Sequence, residues 1–206
     1  MDISEILTHF PEVPESDWSR VKATQDGLIN STWMVGDNFV LQKVNPLFGP
    51  AVNTDIAAIT HTLRERGVPV PRLLQSKEGG DYLQAEGVWR VMTRLRGRTI
   101  HTIEHPKQAQ SAAQLIARFH AALGDSSHRF RFTRPGAHDT EAHMRRLQEA
   151  VNTHSEHRYR AEVGAMAKDI VARWQALPLA EALPRRIVHG DLKISNLLFD
   201  AQNEEV

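Results

Sequence analysis

A polar loop between two apolar runs carries residue types that could do chemistry. Ile187 to Asp200 reads Ile-Val-His-Gly-Asp-Leu-Lys-Ile-Ser-Asn-Leu-Leu-Phe-Asp, so His189, Asp191 and Asn196 stand in the order His-x-Asp-x-x-x-x-Asn. A carboxylate such as that of Asp191 can accept a proton from an attacking hydroxyl group. The amide oxygen of Asn196 can bind Mg²⁺, a hard cation that prefers oxygen ligands. In an ordinary turn, the same Asp191 would only cap a backbone N–H group.

This order and spacing match the catalytic loop of protein kinases, where one rigid segment holds both groups for phosphoryl transfer. Gly190 stands where protein kinases usually carry Arg. His-Gly-Asp-Leu, followed by Asn196 and Leu-Leu-Phe-Asp, resembles the aminoglycoside phosphotransferase and choline kinase superfamily of small-molecule kinases. The resemblance implies catalytic roles for His189 and Asp191 and a magnesium-ligand role for Asn196. Many members have a second His where this chain has Lys193. A Lys at this position is similar to the pattern of serine/threonine kinases, where it contacts the transferred phosphate, and the resemblance implies that catalytic role for Lys193.

The composition is that of an ordinary globular protein. The chain has 206 residues, enough for one large domain or two small lobes, with 41% hydrophobic and 24% charged residues. A formal net charge of +0 gives no general attraction to nucleic acid or membranes, and we expect neither as a partner. The absence of cysteine excludes disulfides and fits a cytoplasmic protein. No signal peptide is visible, and no apolar run approaches the ~20 residues that span a bilayer.

The N-terminal quarter is predicted to form a short amphipathic helix over residues 3–10 and three strands near 18–24, 31–35 and 39–44. Gly36-Asp37-Asn38 is predicted to be the hairpin turn between the last two strands. Superfamily members place their nucleotide-phosphate loop between the first two strands. The resemblance therefore implies phosphate contacts from a set of small and polar residues in this turn, although a plain hairpin is the alternative. The set comprises Gly27, Asn30, Ser31 and Thr32.

The third strand holds a candidate for the cation that kinases pair with the α- and β-phosphates. Gln42 and Lys43 must point to opposite faces of the sheet, and we assign Lys43 to the nucleotide because only Lys43 carries charge. A solvent-facing Lys on an edge strand is the alternative. The helix predicted over 51–66 has no Glu at the early position where kinases hold this Lys. Asp55 lies nearby, but its side chain is shorter, and stabilisation of the helix N-terminus is its alternative role.

Strands are predicted over 72–76 and 82–95, after the rigid connector Val68-Pro69-Val70-Pro71. The resemblance makes the end of the second strand the hinge between two lobes. Backbone groups of Met92, Thr93 and Arg94 are then expected to meet adenine, with Met92 near the gatekeeper position. Plain core packing is the alternative for Met92.

Three helices are predicted in the second half of the chain, over residues 106–123, 139–152 and 159–177, each with an apolar stripe expected to face inward. Together these patterns and the resemblance predict an α+β protein with a protein-kinase-like two-lobe fold. Residues 1–95 would form the N-lobe, with its antiparallel sheet. Residues 96–206 would form a helical C-lobe that is incomplete.

The resemblance implies an ATP- and Mg²⁺-dependent kinase that phosphorylates a hydroxyl group of a small molecule: a sugar, an amino sugar or an aminoglycoside. Gly-Leu-Ile-Asn-Ser-Thr and Phe-Val-Leu-Gln-Lys-Val-Asn are most similar to the branch that includes N-acetylhexosamine kinases, which favours a sugar. The second metal carboxylate of the superfamily has no match before Val206. We therefore expect a C-terminally truncated chain with little turnover. The alternative is a non-catalytic nucleotide-binding or interaction module with a degenerate kinase fold.

Overall fold

The computed structural model describes residues 2–24, 29–178 and 183–200. These residues form two compact units. One unit comprises Met1–Phe132 together with Arg186–Val206, and the other comprises Thr133–Arg185. The predicted boundary between two lobes near residue 95 does not coincide with the division between these units, and it stays a prediction.

The first unit is built on a five-stranded antiparallel sheet. The predicted strands over 31–35 and 39–44 and the turn between them are confirmed to the residue. The strands are β1 (Val21–Ala23), β2 (Ser31–Val35), β3 (Phe39–Val44), β4 (Leu83–Gln84) and β5 (Val88–Thr93). Their order in the sheet is β1-β2-β3-β5-β4.

The two faces of this sheet differ in chemistry. One face, the α1 face, packs Leu41 and Val91 against Ile6 and Phe10 of the N-terminal segment in the main hydrophobic core. That segment includes helices α1 (Ile3–Leu7) and α2 (Glu15–Trp18). The opposite face, the α3 face, is linked to helix α3 (Ala51–Glu65) by a hydrogen bond from Arg90 to Asn53. Alternate residues of each strand therefore meet two different environments.

The region predicted as strands over 72–76 and 82–95 is broken up. The first part contributes only an isolated bridge between Leu73 and Met92. The second part is interrupted by a tight turn, in which Glu86 has φ 45° and Gly87 has φ 127°. The N–H of Ala85 donates to the carbonyl of Gly87, closing the β4–β5 hairpin. The single long strand was a wrong prediction because an alternating pattern continues across this turn and does not reveal it.

The rest of the first unit carries helix α4 (Pro106–Ala122) and a two-stranded sheet. In that sheet, β6 (Arg98–Thr99) pairs antiparallel with β7 (Leu198–Phe199). A 3₁₀ helix, Ile194–Asn196, immediately precedes β7. The loop that carries Asp191 thus runs from an apolar segment into β7, which is paired with β6.

The second unit contains helices α5 (Thr140–Thr153) and α6 (Arg160–Ala176), which contact each other. The Asp139 carboxylate accepts a 2.9 Å hydrogen bond from the Ala142 N–H and so caps α5. The helices lie within one or two residues of their predicted bounds. The expectation that the apolar stripe of α6 faces inward is wrong within the described residues, since Met166 is 59% exposed.

Candidate active site

Apolar anchors hold the polar loop on both sides. Before the loop, Ile187 packs against a cluster that includes Leu63 of α3 and Leu123 at the end of α4. After it, Phe199 is fully buried in a cluster with Ile100 and Ala112. Because both flanks are fixed in the same unit, the residues between them have a defined path although most are exposed.

Backbone geometry turns the loop tightly. Gly190 has φ 77°, in the left-handed region that Gly enters at little cost. The Lys193 N–H donates to the Asp191 carbonyl at 3.0 Å, and the Asn196 N–H donates to the Lys193 carbonyl at 2.9 Å. These turns bring three side chains that are separated in sequence to one place.

The side chains of Asp191, Lys193 and Asn196 meet at the carboxylate. Asn196 Nδ2 donates to Asp191 Oδ2 at 3.0 Å and to the Asp191 carbonyl at 2.8 Å. Lys193 Nζ lies 3.2 Å from the same Oδ2. The hydrogen bond from Asn196, together with the neighbouring Lys193, holds the pKa of the Asp191 carboxyl below its ordinary value. The carboxylate is therefore ionised at neutral pH, exposed and oriented.

The His189 side chain lies between the Asp191 backbone and helix α4. Its Nδ1 accepts a 3.3 Å hydrogen bond from the Asp191 N–H. Its ring lies edge-on to Phe119 of α4, with ring centroids 6.0 Å apart. The sequence prediction gave His189 a catalytic role. The structure places its ring against the backbone N–H of Asp191, and the catalytic role stays a prediction.

A pocket of about 560 Å³ lies beside the loop, within the first unit. It is mostly apolar and adjoins both His189 and Asn196. The connector between α3 and β4, the segment after β5, α4 and the loop itself supply its walls. The lining residues are Val68, Pro69, Val70, Pro71, Leu95, Arg96, Leu115, Ile116, Phe119, His189, Leu192, Asn196, Leu197, Leu198 and Asp200.

Lys43 lies on the α1 face of the sheet, away from α3, and its assignment to the nucleotide stays a prediction. Lys43 pairs with Trp89 across β3 and β5, and its Nζ lies 5.1 Å from the centre of the Trp89 ring. Trp89 belongs to the main core on the α1 face. A Cβ atom on Gly87 would lie 2.9 Å from Lys43 Cε, so the Lys stem runs along the β4–β5 hairpin. The register that buries Leu41 and Val91 decides which face each residue of β3 meets.

Gln42 lies on the α3 face and takes part in a series of side-chain hydrogen bonds that the sequence analysis did not predict. Gln42 Nε2 donates to Thr32 Oγ1 at 3.1 Å. Its Oε1 accepts hydrogen bonds from Arg90 Nε at 2.9 Å and Arg90 Nη2 at 2.7 Å. Arg90 Nη1 donates to Asn53 Oδ1 of α3 at 3.1 Å. Strand alternation could have placed Gln42 and Arg90 on one face, but the contact with Asn53 needs the packed helix.

The predicted phosphate turn is described only in part. Gly27 lies outside the described residues. Asn30 Oδ1 accepts a 2.9 Å hydrogen bond from the Asn45 N–H, which ties the turn to the end of β3. Thr32 is half-buried on the α3 face, and Ser31 is exposed at the start of β2. Their contact with phosphate stays a prediction.

The predicted hinge residues are partly engaged by the protein itself. The Thr93 N–H donates to the Arg72 carbonyl at 2.9 Å, and the Arg94 N–H donates to the Asn38 carbonyl at 2.7 Å. These two N–H groups are therefore not free for adenine. Met92 is half-buried and lies, by strand alternation with Arg90, on the α3 face. Its position is compatible with the predicted gatekeeper role, which stays a prediction.

Asp55 has a structural partner set of its own. Its buried carboxylate accepts hydrogen bonds from the N–H groups of Arg131 and Phe132 and contacts His128 Nε2 at 2.9 Å. It therefore fixes the segment around residue 130 to α3. The sequence had left open a weak pairing with Lys43, which lies on the other face of the sheet.

Within the described ranges, no three His, Asp, Glu or Cys side chains converge as a metal cluster. The oxygen donors at the loop are the Asp191 carboxylate and Asn196 Oδ1, which is left over when Nδ2 binds Asp191. Mg²⁺ commonly takes one or two protein oxygens and completes its shell with water and phosphate, so these two groups fit part of such a site.

Among the helices that the structure describes, none combines the length and apolarity needed to span a membrane.

The antiparallel sheet with α3 against one face, and the His-x-Asp loop anchored beyond the hinge segment, define a kinase-like α+β fold, as predicted. The chain belongs to the phosphotransferase enzyme family, whose model matches residues 20–206.

Solved structures share this fold at low sequence identity. One is an aminoglycoside phosphotransferase from Alicyclobacillus acidocaldarius subsp. acidocaldarius DSM 446, with 16% identity, a TM-score of 0.63, and coverage of 100% of this chain and 64% of that chain. A second is the GDP and kanamycin complex of APH(2")-IIia, with 16% identity, a TM-score of 0.61, and coverage of 97% and 67%. A third is amicoumacin kinase hAmiN in complex with AMP-PNP, Ca²⁺ and Ami, with 16% identity, a TM-score of 0.61, and coverage of 100% and 62%.

This chain therefore spans between 62% and 67% of the length of these three proteins. The superfamily inferred from the loop is thus confirmed, as is the fold class. The particular resemblance to N-acetylhexosamine kinases stays a prediction.

Proposed function

We propose that the protein is a small-molecule kinase that transfers the γ-phosphate of ATP to a hydroxyl group. The observation that carries the proposal is the exposed Asp191 carboxylate, held 3.0 Å from Asn196 Nδ2 and 3.2 Å from Lys193 Nζ on a loop anchored at both ends. Membership of the phosphotransferase enzyme family supports the same chemistry. Phosphoryl transfer depends mainly on positioning and on neutralising charge, and this loop presents groups for both.

Asp191 would accept a hydrogen bond from the acceptor hydroxyl and take its proton. The new O–P bond would form as the bond from the γ-phosphorus to the β–γ bridging oxygen breaks, with ADP as the leaving group. The lowered pKa of Asp191 makes it a weak base, which suits a loose transition state in which the proton leaves late. Lys193 would place positive charge near the phosphoryl oxygens, since its Nζ already lies beside the carboxylate. His189 would keep the Asp191 backbone in place through its 3.3 Å hydrogen bond.

A divalent cation, which we take to be Mg²⁺, would bind Asn196 Oδ1 together with nucleotide phosphate oxygens and water. Such an ion would neutralise charge on the phosphates during transfer. The protein's own contribution is orientation: the hydrogen bond from Asn196 Nδ2 to Asp191 fixes which end of the amide faces the nucleotide.

The nucleotide would lie at the α3 face of the sheet, with the turn at Asn30, Ser31 and Thr32 near its phosphates and the segment from Met92 to Arg94 near its base. AMP-PNP is named with one fold neighbour and GDP with another, which makes ATP and GTP both reasonable donors to test. Such a donor also fits the cytoplasmic location that we propose.

The acceptor would be a polyhydroxylated small molecule. The sequence resemblance favours a sugar or amino sugar. Aminoglycosides are the second choice, because kanamycin is named in the complex of one fold neighbour. The pocket beside His189 and Asn196 is mostly apolar, and we do not assign the acceptor to it.

A non-catalytic nucleotide-binding module is the second candidate. It is favoured by the orientation of Lys43 away from the α3 face and by the neutral Gln42 in its place. Such a module would bind nucleotide without turning it over.

The test is release of ADP or GDP by the purified chain, and by the chain extended with any coding sequence that follows Val206. Hexosamines, aminoglycosides and choline-like alcohols serve as pooled acceptors. Asp191→Asn is the test variant, and Asp169→Asn, an exposed carboxylate paired with Arg173, is the matched control. Acceptor-dependent release that is lost only in Asp191→Asn supports a kinase. Nucleotide binding with no release from either form supports the non-catalytic module.

A further inference from the structure

The side chain of Arg90 is a buried cation. The residue is 9% exposed, and its guanidinium lies on the α3 face of the sheet. Hydrogen bonds to Gln42 Oε1 and Asn53 Oδ1 use three of its N–H groups, out of five in a guanidinium. Two N–H groups therefore remain for another acceptor.

The partners of Arg90 are neutral. Both are side-chain amide oxygens, and within the described residues no carboxylate is hydrogen-bonded or ion-paired to this guanidinium. Burial lowers the pKa of Arg90 to about 10, so the group is still charged at neutral pH. A buried charge that faces only dipoles is costly, and proteins normally compensate one with an opposite charge. The charge of the Arg90 guanidinium is therefore left without a compensating anion among the described residues.

The position of Arg90 indicates which anion is missing. Its partner Gln42 contacts Thr32 at the start of β2, next to the turn that we propose for the phosphates. Met92, near the proposed base site, lies two residues further along β5 on the same face. Lys43, the cation expected for the phosphates, lies on the other face. Arg90 is thus placed where a nucleotide's phosphates would come closest to the sheet.

We propose that Arg90 supplies the positive charge that binds the nucleotide's phosphates, in place of a Lys on β3. Asn53 of α3 and Gln42 of β3 hold the guanidinium without neutralising it. This inference rests on the proposed function, because it names a binding residue for the same nucleotide site. The competing explanation is that Arg90 only bridges the sheet to α3.

The decisive variant is Gln42→Glu, which places a carboxylate against the guanidinium with nearly unchanged shape. If Arg90 only bridges the sheet to the helix, the new ion pair raises the melting temperature and leaves ADP affinity unchanged. If its charge binds phosphates, the melting temperature still rises, but ADP affinity falls at least tenfold because the charge is now compensated internally.

Binding is measured by calorimetry without acceptor, so that turnover plays no part. ADP, tripolyphosphate and adenosine are the probes. Arg90→Gln is expected to weaken ADP at least tenfold and abolish tripolyphosphate binding, with adenosine affinity within twofold of the wild type. Arg118→Gln, which removes one exposed cation from α4, is the matched control and should match the wild type.

Equal losses of ADP and adenosine affinity in Arg90→Gln would overturn the proposal, and so would wild-type ADP affinity in a folded Gln42→Glu protein. The proposal would also be overturned if the wild-type chain bound neither ADP nor tripolyphosphate. Arg90-dependent ADP binding without phosphoryl transfer to any acceptor would count against the proposed kinase function alone.

Discussion

Replacement of Asp55 by Ala should release the segment around residue 130 from α3. The carboxylate accepts hydrogen bonds from the Arg131 N–H at 3.0 and 3.1 Å and from the Phe132 N–H at 2.9 Å. Each hydrogen bond to a charged group contributes about 1.5–3 kcal/mol, so two donors give about 3–6 kcal/mol. Arg131 is exposed and its N–H can bind water in the variant. We therefore expect a loss of about 3–4 kcal/mol, in the lower part of that range.

The assay is urea unfolding followed by far-UV circular dichroism. Asp139→Ala is the matched control, because it also removes an Asp that accepts a backbone N–H, but at the start of α5. Loss of such a helix cap costs about 1 kcal/mol. A cost for Asp55→Ala no larger than that of Asp139→Ala would refute the inference that the carboxylate fixes this segment.

The same carboxylate predicts a pH dependence with a definite sign. Burial raises the pKa of Asp55, but the N–H groups of Arg131 and Phe132 and the contact with His128 outweigh burial and hold the pKa below its ordinary value. A lowered folded-state pKa stabilises the protein above the unfolded-state value of about 3.9. The difference in unfolding free energy between wild type and Asp55→Ala should therefore shrink as the pH falls below about 4. A difference that stays constant down to pH about 2 would refute this part of the reasoning.

Three further variants test the loop and the sheet. Phe199→Ala should cost about 3–5 kcal/mol in urea unfolding because the ring is fully buried, whereas Phe130→Ala, at a half-exposed ring, should cost far less. Gly190→Ala and Gly136→Ala place a side chain at φ 77° and 78°, and each should lower the free energy of unfolding by about 1–2 kcal/mol. Only Gly190→Ala should also speed proteolytic cleavage near Asp191. Equal cleavage of the two variants would contradict the loop geometry. Lys43→Met should leave ADP affinity within twofold of wild type by calorimetry, because its charge lies on the α1 face; a tenfold loss would restore the sequence-based assignment.

Local patterns predicted the hairpin well. The strands over 31–35 and 39–44 were found to the residue because their apolar periodicity and their Gly-containing turn agree. In the loop, the spacing of Asp191 and Asn196 indicated the superfamily, whereas the contacts that join Asp191, Lys193 and Asn196 were seen only in the structure. These features depend on interactions between residues close in sequence.

What the sequence could not give depends on packing across the sheet. Which of Gln42 and Lys43 faces α3 is decided by which residues the core buries, and the register that buries Leu41 and Val91 puts Lys43 beside Trp89. The contacts of Arg90 and Asp55 join residues 37 or more apart in the chain. No periodicity reports such partners.

The pairing of β6 with β7 joins segments about 100 residues apart in the chain, and the closure entropy of such a loop must be met before any of its contacts form. During synthesis, Arg98 and Thr99 leave the ribosome long before Leu198 and Phe199, so β6 must wait without its partner strand. The sheet of β1 to β5 can meanwhile complete itself, since all of its strands precede residue 94. We therefore expect the loop carrying Asp191 to become ordered only after the surface that would hold the nucleotide has already folded.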